Sequence, residues 1–320
     1  MTIALDIFRA LADPTRLRIV ALLRTMELAV GELAQVLGQS QPRVSRHIKI
    51  LCDAGLAQRR REGSWAFLVP GDANRVAPVF AALDAFNAQS VGDHWAIADA
   101  ARLAAVRADR TASAERYFAA HAAQWDAIRS LHVAESDVEA AVARALDGAP
   151  IGVLVDIGTG TGRMIERFGP QSSHASGIDR SPEMLRLARA KLAESPFTHW
   201  DLQQGDIGAL PIDDHSADTV IIHQVLHFIP APETAIAQAA RILRPGGRLV
   251  IVDFAPHERE ALRTEDAHTR LGFSDAQIEG WFRAAGLQTD MIEELAGGEL
   301  TVKIWRGRCA ALPHLKAVAA

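Results

Sequence analysis

The run Val153-Leu154-Val155-Asp156-Ile157, followed at once by Gly158-Thr159-Gly160-Thr161-Gly162, limits the possible folds of this 320-residue chain more than any other segment. A short apolar, β-branched run predicts a buried strand. Three glycines in the next five residues predict a tight turn whose bare backbone approaches a ligand. The turn opens a helix whose N-terminus faces an anionic group. Strand, glycine turn and helix together begin a parallel α/β unit. The downstream pattern agrees. Short apolar runs near 152–157, 174–179, 198–203, 217–223 and 247–253 alternate with helical stretches. Two more runs, near 287–294 and 299–307, complete an expected seven-stranded, mostly parallel sheet.

Before residue 113 the pattern is different. Residues 5–12 predict a short amphipathic helix, and Asp13-Pro14 caps and starts a second. A third helix spans Val30 to Leu37 and stops at Gly38. Ser40 caps a fourth, Gln41 to Ala54, which stops at Gly55. Leu56 to Val69 predicts two strands around a turn at Glu62-Gly63-Ser64. The third and fourth helices have the length and turn of a helix-turn-helix. The fourth carries Gln41, Arg43, Ser45, Arg46, His47 and Lys49, side chains suited to base edges and phosphates in a major groove. The hairpin adds Arg59, Arg60 and Arg61. Arg59 and Arg61 share one face and Arg60 takes the other, as a basic wing against backbone phosphate would. The bland alternative is a small helical packing domain with a solvated basic face.

Charge distribution favours the DNA reading. The whole chain carries −5, yet residues 1–70 hold ten Lys and Arg against six acids, a local +4 that leaves −9 for the rest. The expected organisation is 1–72 as a winged helix-turn-helix, 73–112 as a helical dimerisation and linker segment, 113–310 as the α/β domain and 311–320 as a tail. Val76, Val79, Phe80, Leu83 and Phe86 form one apolar helix face. With helix 5–12, that face is expected to build a homodimer that reads two half-sites of double-stranded operator DNA. Residues 100–112 are expected to be a solvated helical linker, followed by a helix over 113–130.

Other classes are disfavoured. No apolar run reaches the roughly 18–20 residues of a membrane-spanning helix, and the N-terminus lacks an export-type pattern, so a cytoplasmic location away from membranes is expected. Cys52 and Cys309 provide neither a disulfide framework nor a thiolate metal cluster. His257 and His268 lack tight ligand spacing, and no metal site is expected.

Two resemblances follow from these residues. Leu11-Ala12-Asp13-Pro14-Thr15-Arg16-Leu17-Arg18-Ile19, Ser40 to Leu51 and Ala54-Gly55-Leu56 resemble the ArsR/SmtB repressor family over residues 5–88. Metal-sensing members carry two cysteines where this chain has Ala29 and Gly31, so that sensor is missing here. The Gly-x-Gly-x-Gly loop is followed by bulky Arg163, where a dinucleotide loop wants a small residue. The loop resembles that of class I S-adenosylmethionine (SAM)-dependent methyltransferases, closest to the ubiquinone/menaquinone-biosynthesis group. Gly177-Ile178-Asp179, Ser181 to Leu185, Gly205-Asp206-Ile207 and Arg241 to Leu249 follow in the order of that family, over roughly 113–307.

This second resemblance implies a Rossmann-like α/β fold holding SAM or S-adenosylhomocysteine through Asp156, Gly158, Gly160, Gly162, Asp179, Met184, Asp206, Ile207 and His223. Asp179 would accept from the ribose hydroxyls and Asp206 from the adenine amino group. Tyr117 and Arg129 of the preceding helix would cover the cofactor. His227, after the fourth strand, is the candidate general base toward a small-molecule methyl acceptor, or else a packing histidine. The favoured functional expectation is a transcriptional regulator coupling DNA binding to SAM or S-adenosylhomocysteine. The alternative is an active small-molecule methyltransferase with an autoregulatory DNA-binding head.

Overall fold

A computed structural model describes residues 2–62, 65–87, 94–121, 133–296 and 300–310. The chain divides into two compact units, Met1–Arg110 and Thr111–Ala320, called the head and the body below.

In the head, α1 (Thr2–Leu11) precedes α2 (Pro14–Thr25), whose N-cap Asp13 accepts from the Arg16 N–H at 3.1 Å. A two-residue strand β1 (Leu28–Ala29) leads into α3 (Val30–Leu37). Gly38, at φ +64°, ends that helix and turns the chain toward α4 (Gln41–Asp53). Ser40 occupies the N-cap position of α4, but its hydroxyl makes no capping bond. Strands β2 (Ala57–Glu62) and β3 (Trp65–Pro70) pair antiparallel, and β1 joins the free edge of β3. Residues 63–64 of the expected wing turn lie outside the described residues. The core gathers Ile19, Leu33, Val36, Val44, Ile48, Leu51 and Leu68.

Two longer helices follow, α5 (Ala73–Asn87) and α6 (His94–His121). The α5 face expected to meet a partner subunit is used largely within the head. Val76 and Val79 are buried in its core, Phe80 and Leu83 pack against it, and Phe86 stays exposed. The expected solvated helical linker over 100–112 is helical, and most of its described side chains are exposed. It is part of continuous α6, whose Leu103 and Val106 enter the same core. Arg18 holds Asp99 of this helix with both Nε and Nη2, at 2.7 and 2.6 Å.

The body is a seven-stranded sheet. After α7 (Glu135–Leu146) come β4 (Val153–Ile157), α8 (Arg163–Phe168), β5 (His174–Asp179), α9 (Pro182–Ala193), β6 (Trp200–Gln204) and β7 (Ala217–His223). Then come α10 (Pro232–Ile242), β8 (Leu243–Phe254), α11 (Ala261–Glu265), α12 (Asp275–Ala284), β9 (Leu287–Leu295) and β10 (Val302–Cys309). The spatial order is β6-β5-β4-β7-β8-β10-β9. The first five are parallel, and β10 runs antiparallel to both neighbours. Chain order reverses between β4 and β7. In open sheets of this kind ligands bind beyond the strand C-termini at such a point. Apolar layers cover both faces. One includes Leu154, Ile165, Phe168 and Val250, and the other Val155, Ile222, Ile236 and Phe282. A cavity of about 300 Å³ opens beside Val155, Ile178, Asp201 and Ile212, and none of the glycine-loop residues lines it.

Candidate functional site

In the head, the candidate surface is the outer side of α4. Val44, Ile48 and Leu51 are buried, which turns Gln41, Arg43, Arg46 and Lys49 outward. Ser45 and His47 are half-buried, and His47 Nδ1 lies 3.6 Å from Asp13 Oδ1. The wing arginines separate as strand alternation requires. Arg59 is exposed, whereas Arg60 turns back onto Glu27, with Nη1 donating to Oε1 at 2.6 Å. The charge of Arg60 is therefore engaged inside the head. The Arg61 backbone sits opposite Ala66 in the hairpin.

In the body, the glycine loop closes between strands. The Gly158 and Thr159 N–H groups donate to Ile178 O at 2.7 and 2.9 Å, and the Gly160 N–H donates to Asp179 Oδ2 at 2.8 Å. Gly158, Gly160 and Gly162 have φ of +72°, +53° and +80°, values that L side chains rarely adopt. A Cβ on Gly158 would lie 2.5 Å from Val225 Cγ2, so the segment after β7 sits directly on the loop. Helix α8 begins at Arg163, which points away from the loop to hold Glu139 of α7, with Nε donating at 2.7 Å. Asp156 is buried and accepts from the Thr159 hydroxyl at 2.6 Å.

Asp179 ends β5. Its carboxylate accepts from the Gly160 and Ser181 N–H groups, both at 2.8 Å. Burial pushes its carboxyl above the ordinary range, while backbone N–H bonds from Ser181, Gly160 and Arg180 oppose the shift. Of the roughly four acceptor positions of a carboxylate these three donors leave about one, which a ligand hydroxyl would fit. Asp206 is exposed, takes the Gly208 N–H at 2.7 Å and faces Arg180 Nη1 at 3.4 Å. Ile207 packs on the core beside it. Met184 is buried in the first turn of α9, where its N–H meets the Ser181 hydroxyl. Tyr117 lies on α6, and Arg129 lies outside the described residues.

The acceptor side follows β7. His223 is buried at the strand end. Gln224 takes φ +51°, and its N–H donates to Val252 O at 2.7 Å. A short 3-10 turn, Leu226–Phe228, then places His227 against the end of β8. His227 Nδ1 is 2.7 Å from Asp253 Oδ1, and the two side chains are 2% and 0% exposed. The His227 ring lies 4.1 Å from that of Phe228, 4.2 Å from His268 and 5.1 Å from Phe254. Sequence reading found His227 and missed Asp253 as its partner. The two are 26 residues apart, and only the parallel register His223↔Val252 brings them together. No group of metal-ligating side chains forms among the described residues.

Comparison with known proteins supports both halves. Residues 155–251 match the family model described as a methyltransferase domain, and residues 13–59 the one described as bacterial regulatory protein, arsR family. An arsenite methyltransferase of Halobacterium salinarum is 34% identical over 109 residues, 33% of this chain and 28% of that protein. A demethylmenaquinone methyltransferase of Tropheryma whipplei is 34% identical over 106 residues, 33% of this chain and 43% of its own. The chain thus spans less than half the length of these curated relatives. A methyltransferase-type crystal structure from Bacillus halodurans matches 55% of this chain and all of its own, with a TM-score of 0.50 and 16% identity. A structure from Haloferax volcanii, titled as a complex of the Trm112 methyltransferase activator with a methyltransferase, matches 62% of this chain and 99% of its own. Its TM-score is 0.53 and its identity 22%. Both likenesses speak to fold alone.

Proposed function

We propose that this chain, which joins an ArsR-family helix-turn-helix to a class I SAM-dependent methyltransferase domain, methylates a small-molecule acceptor and uses its head to bind operator DNA. The observation that carries the reading is the loop geometry: three positive-φ glycines, with Asp179 anchored by two N–H groups beside them. These residues fit SAM. The glycines leave room for its amino-acid end, and the Asp179 carboxylate would accept from a ribose hydroxyl. Asp206 would take the adenine amino group. When bound, SAM supplies an electrophilic methyl group on a sulfonium. The chain positions the acceptor and handles its proton.

The enzyme reading is better supported than a body that only senses ligand, because the named relatives of the body are methyltransferases. Arsenite is a poor candidate acceptor. It requires several positioned thiols, whereas Cys52 lies in the head and Cys309 on β10 of the body. The test is incubation of the full chain with methyl-labelled SAM and a small-molecule extract. Label in a new product is expected, and label retained wholly in SAM would reject the enzyme. Gel shifts on a fragment of its own promoter, with and without S-adenosylhomocysteine, test coupling to the head, since ligand must favour one DNA-binding state.

A homodimer belongs to the same proposal. Ile3 and Phe8 of α1 and Phe86 of α5 are exposed apolar groups on the helices expected to meet. Sedimentation showing a monomer at micromolar concentration would remove it.

A further inference from the structure

We infer that helix α6 is the element through which the body acts on DNA binding, and that a clasp of Trp95, Asp99 and Arg102 on this helix passes its position to the turn between α3 and α4. This deepens the proposed coupling to the head and rests on it. Along α6, Trp95, Asp99, Arg102, Leu103 and Val106 recur at helical spacing and share one side. Leu103 and Val106 are buried in the head core, which holds that side against the head. Asp99 is 5% exposed, and charges so buried are paired. Its partner is Arg18 of α2, which meets it with Nε at 2.7 Å and Nη2 at 2.6 Å. The Arg18 guanidinium carbon also lies 4.5 Å from the Trp95 ring centre. Helix α6 thus fixes Arg18 with an anion and an aromatic face.

The clasp closes on the end of α3. The last four carbonyls of a helix have no partner within it and carry partial negative charge. Here the Gln39 and Gly38 N–H groups donate to Ala34 O at 3.0 Å and Gln35 O at 3.2 Å. The other two carbonyls meet the clasp. Arg102 Nη1 donates to Val36 O at 3.2 Å, and Arg18 Nη2 donates to Leu37 O at 3.4 Å. The next residue is Gly38, whose φ of +64° turns the chain toward α4. Gln39 Nε2 donates to the Thr15 hydroxyl at 3.1 Å and ties the turn to α2 as well. The outward side of α4 therefore takes its aim from a turn that α6 helps to hold.

The same helix continues into the body. It runs without a break from His94 to His121, and the division between the units falls inside it, between Arg110 and Thr111. Tyr117, expected from the sequence to cover the cofactor, lies about 27 Å along the axis from Asp99. A ligand that favours one position of Tyr117 favours one position of α6. Helix shifts in such transitions are about 1–2 Å. A shift of that size takes bonds of 3.2 and 3.4 Å out of hydrogen-bond range. The closed clasp is the DNA-binding state, and the open clasp releases the turn.

The test measures binding of the full chain to a fragment of its own promoter by fluorescence anisotropy, with and without saturating S-adenosylhomocysteine. Calorimetry without DNA gives the affinity for S-adenosylhomocysteine itself. The ratio of the two DNA dissociation constants is the coupling factor, expected to differ from one by at least about fivefold in wild type. Arg102→Ala and Asp99→Asn should bring it within about twofold of one, with S-adenosylhomocysteine affinity kept within about threefold. Without ligand, Asp99→Asn should weaken promoter binding by at least about tenfold, because it leaves Arg18 without its anion. Arg102 is exposed, so its variant folds even where Asp99→Asn does not. A wild-type coupling factor in Arg102→Ala overturns the proposal. Arg24→Ala is the control, because it removes an ion pair to Asp84 of α5. An equal loss of coupling there would mean general loosening of the head and would also overturn the clasp. Hydrogen exchange over residues 36–41 should respond to S-adenosylhomocysteine in wild type and not in Arg102→Ala. If wild type binds S-adenosylhomocysteine with a coupling factor of one, the role of α6 falls while the methyltransferase reading stands. If it binds none, the cofactor reading falls and the transmitted signal with it, while the ligand-free promoter affinity of Asp99→Asn still judges the clasp.

Discussion

Head and body present chemistry in opposite ways. In the head, the candidate groups stand outward on one helix, and the buried side of that helix serves only to aim them. Val44, Ile48 and Leu51 fix the orientation of α4, and Arg43, Arg46 and Lys49 extend from it. In the body, the candidate groups are polar side chains at strand ends, buried at Asp156, His227 and Asp253 and half-buried at Asp179. An outward array reads a long polymer surface, and its individual contacts are modest and separable. A buried array surrounds one small molecule, and each member depends on its neighbours. Tolerance to substitution should therefore differ sharply between the two.

The largest effects should come from the cores, where the two units are alike. Ile48→Ala in the head and Ile222→Ala in the body each remove a fully buried side chain and should cost about 2–5 kcal/mol. Calorimetry should show each change moving a different transition. One shared transition moved by both would break the division into two units. Next is Gly158→Val. It forces a side chain onto Val225 and an L-residue into φ +72°. Affinity for S-adenosylhomocysteine should fall at least about 100-fold, some 2.7 kcal/mol, with promoter binding by the head unchanged. Retained ligand affinity would remove the loop from the cofactor site.

Within the head, Arg43→Ala should weaken binding to a promoter fragment by about 1–3 kcal/mol if it reads a base edge. Arg60→Ala should cost DNA affinity much less, because Glu27 already holds that guanidinium. Equal losses in fluorescence anisotropy would erase the contrast between wing and helix. The smallest effect concerns Asp290 of the body. Burial raises its carboxyl, but hydrogen bonds from Arg306 and Arg308 more than offset this and hold it below the ordinary range. Its stabilisation is present above the unfolded value of about 4 and is lost as pH falls through the depressed folded value. Asp290→Asn should flatten that acid limb by about 1 kcal/mol or less. A larger change in an acid titration of stability would mark the pair as part of the core.

Much of this was legible in the sequence, for physical reasons specific to each element. Strand β5 was expected at 174–179 and β7 at 217–223, and both have those bounds. Strand β7, buried at six of its seven positions, reads through its apolar Val220-Ile221-Ile222, whereas β5, buried at only three of six, reads through its closing Gly177-Ile178-Asp179. Gly38 and Gly55 marked helix ends because only glycine sits easily at φ +64° and +69°. The two-residue strand β1 was not legible, since Leu28–Ala29 becomes a strand only by pairing with Leu68 and Phe67. The α5 apolar face was legible as a face, but not what it would cover.

Returning to the glycine loop, the sequence alone determined that a buried strand ends in a backbone turn able to approach a ligand, because residue type controls φ and burial locally. It also determined which side of α4 faces outward, because helical spacing does. Only the tertiary structure decided that Val225 rests on Gly158, that Arg60 turns to Glu27 and that Asp253 stands behind His227. Those pairings depend on strand register and crossover, and register is set by the packing of whole sheet faces, which no local stretch of sequence encodes.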